Sequence, residues 1–181
     1  MYKESIKIDT IEYRLYDDHT AKVIGGQSTR HLVIPSSIVF DGDNYAVIEI
    51  GYAAFLDCTS LLALSIPESV RTIGGRAFCG CLNLQSVCLC EGLEYIGQDA
   101  FAFCSSLISV IIPSTVKTLS RAAFINCTNL TNLILPESIN NVKPYVFYKC
   151  SNLRNVICHN NLKLDFYAFE GCPCLNQLQK E

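Results

Sequence analysis

Leu107-Ile108-Ser109-Val110-Ile111-Ile112-Pro113 and, ten residues on, Ala123-Phe124-Ile125-Asn126-Cys127-Thr128-Asn129-Leu130 carry two different periodicities in one short stretch. The first segment alternates inward and outward residues and stops at a proline. That is the pattern of a short strand whose ladder ends where a backbone donor is missing. In the second, small Ala123 lets the backbone approach the interior and Phe124 fills it. The spacing predicts one helical or 3₁₀ turn there, too short to be a full helix.

Working outward from this unit, the same residue types recur. Phe55, Phe78, Phe101, Phe124 and Phe147 are each 23 residues apart, and Phe169 follows after 22. Cys58, Cys81, Cys104, Cys127, Cys150 and Cys172 keep the same rhythm, as do Leu61, Leu84, Leu107, Leu130, Leu153 and Leu175. A period of roughly 20–29 residues with leucine-type positions is the range of leucine-rich repeats. The strand segment returns as Leu64-Ser65-Ile66-Pro67 and Leu133-Ile134-Leu135-Pro136. A second inward pair follows each: Val70 with Ile73, Leu93 with Ile96, Val116 with Leu119, Ile139 with Val142. Gly74 and Gly97 then read as permitting a sharp bend. The predicted fold is a β-rich leucine-rich repeat solenoid, a right-handed superhelix of short parallel strands and short helical or 3₁₀ turns. Its coils stack about 4.8 Å apart, and each buries its Phe and Leu only with its neighbours' help.

The ends depart from the repeat. Thr10–Tyr16 alternates, Asp17-Asp18-His19-Thr20 reads as a turn, and Ala21–Gly26 returns, which is a hairpin signal. Residues 1–31 are therefore expected to form an N-terminal β-hairpin cap over a solenoid of about six coils spanning residues 32–181, in one domain overall. Leu32-Val33-Ile34-Pro35 matches Leu64-Ser65-Ile66-Pro67 at an offset of 32 residues instead of 23. The extra residues predict a second hairpin turning at Asp41-Gly42-Asp43-Asn44, either part of the cap or a functional loop. At the other end Leu175-Asn176-Gln177-Leu178 reads as a further strand. Lys180, in a slot that is apolar elsewhere, reads as blunting its edge.

The chain has 181 residues, 50% of them hydrophobic and 17% charged, with a formal charge of −3. That charge offers no electrostatic footprint for nucleic acid or an anionic membrane. No apolar run approaches the roughly 20 residues of a membrane-spanning helix. Met1-Tyr2-Lys3-Glu4-Ser5 lacks the apolar stretch of a secretion signal.

The unit Leu-x-x-Ile-x-Ile-Pro-x-x-Val-x-x-Ile-Gly-x-x-Ala-Phe-x-x-Cys-x-x-Leu, with Ile73-Gly74-Gly75-Arg76-Ala77-Phe78 as its bend, resembles the BspA-like leucine-rich repeat family. The resemblance covers roughly residues 10 to 178. It implies a non-enzymatic protein-binding or adhesion module of bacterial surface type. The implied location is the cell surface, the periplasm or outside the cell, with a host or other extracellular protein as partner. The eleven cysteines point the other way, to a reducing compartment; the resemblance is followed. Cys90 and His159 stand in the proline slot, and Ser120 and Lys143 in the glycine slot. These departures predict less regular packing in the C-terminal coils.

Little in the chain looks like reaction chemistry. The six-cysteine column reads as small buried thiols that pack and bond weakly to backbone; the alternative is disulfides between neighbouring coils, whose Cα spacing would allow them. Cys79-Gly80-Cys81 and Cys88-Leu89-Cys90 lack zinc spacing, and their sulfurs fall on different faces. His19, His31 and His159 have no nucleophile motif beside them. Gly25-Gly26 and Gly74-Gly75 lack the context of a phosphate loop. Asn126-Cys127-Thr128 and Asn129-Leu130-Thr131 match the glycosylation sequon within a tight turn. No catalytic residue, cofactor or metal ligand is assigned.

The outward strand positions form two columns. One reads Ala63, Ser86, Ser109, Asn132 and Asn155. The other reads Ser65, Cys88, Ile111, Ile134 and Ile157. β-branched residues favour strands, so propensity alone could place isoleucine there. Three in succession, flanked by Asn132, Asn155 and His159, also make an apolar strip with a polar rim. Ile111, Ile134, Ile157, Asn132, Asn155 and His159 are therefore the candidate partner-binding residues, for a protein partner or a second copy of this chain.

Overall fold

The chain begins in three antiparallel strands, β1 (Tyr2–Ile8), β2 (Ile11–Tyr16) and β3 (Thr20–Gly26). Their tight turns use Asp9 and His19 in the left-handed region, at φ 51° and 58°. In β2 the alternation is clean: Ile11, Tyr13 and Leu15 are buried, while Glu12 and Arg14 face solvent. The first strand goes beyond the expected hairpin. Ile6 and Ile8 pack on the core from the outer edge of β2. In the computed structural model, which describes residues 1–27 and 29–174, β3 then pairs in parallel with the first coil.

That coil contains β4 (His31–Val33), β5 (Ser37–Phe40) and β6 (Asp43–Ile50). The expected second hairpin is β5 against β6, turning through Asp41 and Gly42 with φ of 52° and 85°. Two consecutive positive φ values match the twist of the flanking strands, which is why Asp-Gly serves here. From this point each coil contributes two strands: β7 (Ala63–Ile66) and β8 (Thr72–Ile73), β9 (Ser86–Leu89) and β10 (Tyr95–Ile96), β11 (Ser109–Ile111) and β12 (Thr118–Leu119), β13 (Asn132–Ile134) and β14 (Asn141–Val142), β15 (Asn155–Ile157) and β16 (Lys163–Leu164). The first of each pair builds a six-stranded parallel sheet ordered β15-β13-β11-β9-β7-β4. The second strands continue the N-terminal sheet through β6, β8, β10 and β12. Leu32 stands opposite Leu64, so the 32-residue offset in sequence closes in register.

The second sheet breaks between β12 and β14, and β14 pairs with β16 alone. The break falls where Ser120 and Lys143 replace glycine. In the regular coils Gly74 and Gly97 lie against the preceding coil's backbone. A Cβ on Gly97 would sit 2.6 Å from the Gly75 nitrogen, and one on Gly74 2.7 Å from the Gly51 carbonyl carbon. Neither glycine has a positive φ. Their role is close approach between coils, not the bend expected of them.

The third side of each coil differs from expectation. The Ala-Phe-x-x-Cys segment is a chain of turns, and no helix occurs among the described residues. Residues just before the Ala, or before Val146 in its place, are left-handed (Ala53, Arg76, Asp99, Ala122, Tyr145 and Tyr167), and so are those just before the Cys (Asp57, Gly80, Phe103, Asn126, Lys149 and Gly171). This alternation sends every second N–H to the next coil, where a helix would turn it back on itself. Arg76, Phe78 and Gly80 donate to Gln98, Ala100 and Ala102, each at 2.8 Å. A left-handed non-glycine residue costs on the order of 1 kcal/mol, comparable to the net gain from one backbone hydrogen bond.

The interior is a set of stacked columns. The phenylalanine rings from Phe55 to Phe147 lie nearly parallel, with centroids 5.2–5.6 Å apart, and Phe169 continues the stack at 5.1 Å. Ala77, Ala100 and Ala123 are fully buried beside them. None of the eleven cysteines is in a disulfide. The column thiols of Cys81, Cys104, Cys127, Cys150 and Cys172 each donate to the Phe carbonyl one coil upstream, at 3.0–3.3 Å. The packing reading of this column therefore holds over the disulfide one. The strand expected from Leu175 and the edge role of Lys180 lie outside the described residues.

Candidate functional site

The face of the six-stranded sheet is positioned by strict parallel register. Ser109, Val110 and Ile111 stand opposite Asn132, Leu133 and Ile134, which stand opposite Asn155, Val156 and Ile157. Period-two alternation buries Val110 and Leu133, so their neighbours must project outward. Ile111 is 73% exposed, Ile134 53% and Ile157 64%. Those values place all three outside the core and leave them as a ridge across three successive coils.

The polar rim is internally bonded. Asn155 Nδ2 donates to Asn132 Oδ1 at 2.8 Å, and Asn132 Nδ2 donates to Thr131 Oγ1 at 2.9 Å. A ladder of this kind holds the amide planes in a fixed orientation, with Asn155 Oδ1 at its open end. His159 sits just past β15, half-buried, with Nε2 3.0 Å from the Ile139 carbonyl oxygen. The structure thus brings the three isoleucines and the two asparagines together on one face, while the histidine is tied to the backbone at its edge.

Two further apolar residues join this surface. Val33 is 68% exposed and heads the isoleucine column, opposite Ser65. Ile108, 55% exposed, lies immediately before β11. Val33 was readable from the same alternation that located Ile111, since Leu32 and Ile34 flank it as inward residues. Between Val33 and Cys88 the small side chains Ala63, Ser65 and Ser86 leave a shallow hollow of about 300 Å³. One column therefore passes from a hollow into a ridge.

The outward positions of the six strands carry no carboxylate, ammonium or guanidinium; His31 and Cys88 are their titratable groups. Such a face offers apolar contact and amide hydrogen bonds. Cys79 lies in a turn and Cys88 on this sheet, and among the described residues no three His, Cys, Asp or Glu side chains gather into a metal-holding group.

The profile of the BspA type leucine rich repeat region matches residues 48–176 in six copies. A leucine-rich cell surface protein of Faecalibacterium prausnitzii superposes with a TM-score of 0.86 at 26% identity, over 94% of this chain and 47% of that one. The chain thus spans about half the length of that relative. The leucine-rich repeat protein of T. pallidum superposes with a TM-score of 0.79 at 26% identity, over 98% of this chain and 94% of that one. One from Bacteroides capillosus gives 0.63 at 29% identity, over 65% of this chain and 88% of that one. No curated protein matches this chain.

Proposed function

Since this chain belongs to the BspA-type leucine-rich repeat family, we propose that it works as a non-enzymatic protein-binding module and takes a protein partner on the face built by β11, β13 and β15. The observation that carries the reading is the ridge of Ile111, Ile134 and Ile157, exposed although the core has inward columns of its own. Fully burying an isoleucine contributes about 1.5–3 kcal/mol. Three side by side therefore supply the apolar centre of an interface, with Asn132, Asn155 and His159 as its rim. A surface or extracellular location accords with the cell surface protein of F. prausnitzii that this chain resembles. No helix among the described residues is long and apolar enough to cross a membrane.

A second reading rests on the hollow beside the ridge. Because both lie in one column, two copies related by a two-fold axis could seat each ridge in the other's hollow. Sedimentation velocity over a hundredfold concentration range separates the two. A constant monomer mass leaves the foreign partner; a rising mass that Ile134→Asp abolishes assigns the face to self-association. A rising mass that the substitution leaves unchanged removes the face from both readings.

A further inference from the structure

The turn-bearing side of the solenoid holds a hollow of about 800 Å³ that the sheet-face reading does not use. Leu56, Cys79 and Ile125, which share one column of the repeat, line it together with Gly80. Cys79 and Gly80 form a low floor between the larger side chains. Leu82 and Phe103, 46% and 48% exposed, stand up around it. An open apolar surface of this shape is a place for a side chain from another molecule.

Its charge says which kind. Asp57 is left-handed, at φ 56°, and its carboxylate lies across Gly80. A Cβ on Gly80 would collide with Asp57 Oδ1, so glycine at this position is what lets the carboxylate rest at the hollow's edge. Asp99 shares the rim but is held by Arg76, with Nε 3.7 Å from Oδ2. No salt bridge among the described residues engages Asp57. The field at the floor agrees. Burial pushes the Cys79 thiol up, and Asp99 and Asp57 push it further, with Arg76 opposing them.

We infer that this hollow docks a short segment of a partner protein that sets an apolar side chain on the Cys79–Gly80 floor and a lysine or arginine on the Asp57 carboxylate. The apolar walls favour the hydrocarbon part of such a segment, and the unpaired carboxylate selects its positive end. An acidic segment would meet two carboxylates against one guanidinium.

Cys79 is a built-in reporter, because anything seated on the floor covers its sulfur. The experiment is iodoacetamide alkylation of the native full chain, followed residue by residue by mass spectrometry, with 4-phenylbutylammonium as the ligand mimic and 4-phenylbutyrate as its matched anion. The cation should slow alkylation of Cys79 at least threefold and the anion should not, while Cys88 on the sheet face reacts at the same rate throughout. Asp57→Asn keeps a residue that tolerates the left-handed backbone and should erase the difference. The column thiol of Cys104, unreactive in both proteins, reports that each is folded. Equal protection by cation and anion, no protection by either, a preference that survives Asp57→Asn, or a Cys79 that never reacts in the folded chain would each overturn the proposal.

Discussion

The thiol of Cys127 donates to the carbonyl oxygen of Phe101 across a coil boundary, at 3.2 Å. The same oxygen accepts the backbone N–H of Cys104 from its own coil, at 3.3 Å. One carbonyl is thereby used twice, once to close a turn and once to fasten the next coil to it. The bond recurs from Cys81 to Cys172, so the cysteine column is a row of small donors aligned with the phenylalanine stack.

Reactivity should follow this arrangement. Cys81, Cys104, Cys127 and Cys150 are buried, whereas Cys88 is exposed. Alkylation of the native protein is expected to modify Cys88 well before the column, and unfolding without reductant should release most of the eleven thiols. Two or fewer free thiols would make the fold disulfide-stapled.

Alkaline pH should loosen the solenoid. Burial pushes Cys81 up to about 12 from an ordinary 9.0, and the neighbouring Cys150 thiol, together with burial, takes Cys172 to about 12. The native state therefore holds these protons more tightly than the unfolded chain. The stabilisation is fully present below about pH 9 and lost as pH rises towards about 12. Urea midpoints should fall across that window. The fall should be shallower in Cys81→Ala, and an equal slope in the variant would contradict the assignment.

The stack should tolerate loss of one ring poorly. Phe124 is fully buried between Phe101 and Phe147, and Phe124→Ala should cost about 3–5 kcal/mol by leaving a cavity. Equilibrium unfolding of the variant measures this. A loss below about 1 kcal/mol would mean that the column collapses freely.

Deleting residues 1–31 should expose the first coil. β3 covers β6 through Ala21 and Val23, both fully buried. The shortened chain is expected to aggregate on expression or refolding. A soluble, monomeric and cooperatively folding 32–181 fragment would refute the capping role.

Most of this architecture is written in the repeat, because a residue that recurs every coil must meet its own copies. The phenylalanine, leucine and cysteine columns, the β5–β6 turn at Asp41-Gly42 and the outward isoleucines are all readable from spacing. The turn segment was not. Ala-Phe-x-x-Cys has a helical spacing, and the left-handed residues that convert it into an inter-coil ladder include Arg76, Phe103 and Lys149, types that carry no local signal for positive φ. Nor was β1, whose Tyr2–Ile8 segment pairs with β2 and packs Ile6 and Ile8 on the core. The hollow on the turn side was equally hidden, since it needs small residues at Cys79 and Gly80 together with a wall contributed from other coils.

Ile134→Asp tests the assignment of the sheet face most directly. The residue is 53% exposed and its strand neighbours carry the core contacts, so the variant should unfold at the same urea midpoint as the parent. Titrated against the partner that the parent retains, or against itself where the parent self-associates, it should bind more than tenfold more weakly, a loss of about 1.4 kcal/mol or more. An unchanged dissociation constant in a folded variant would contradict the account and leave the isoleucine ridge as strand propensity alone.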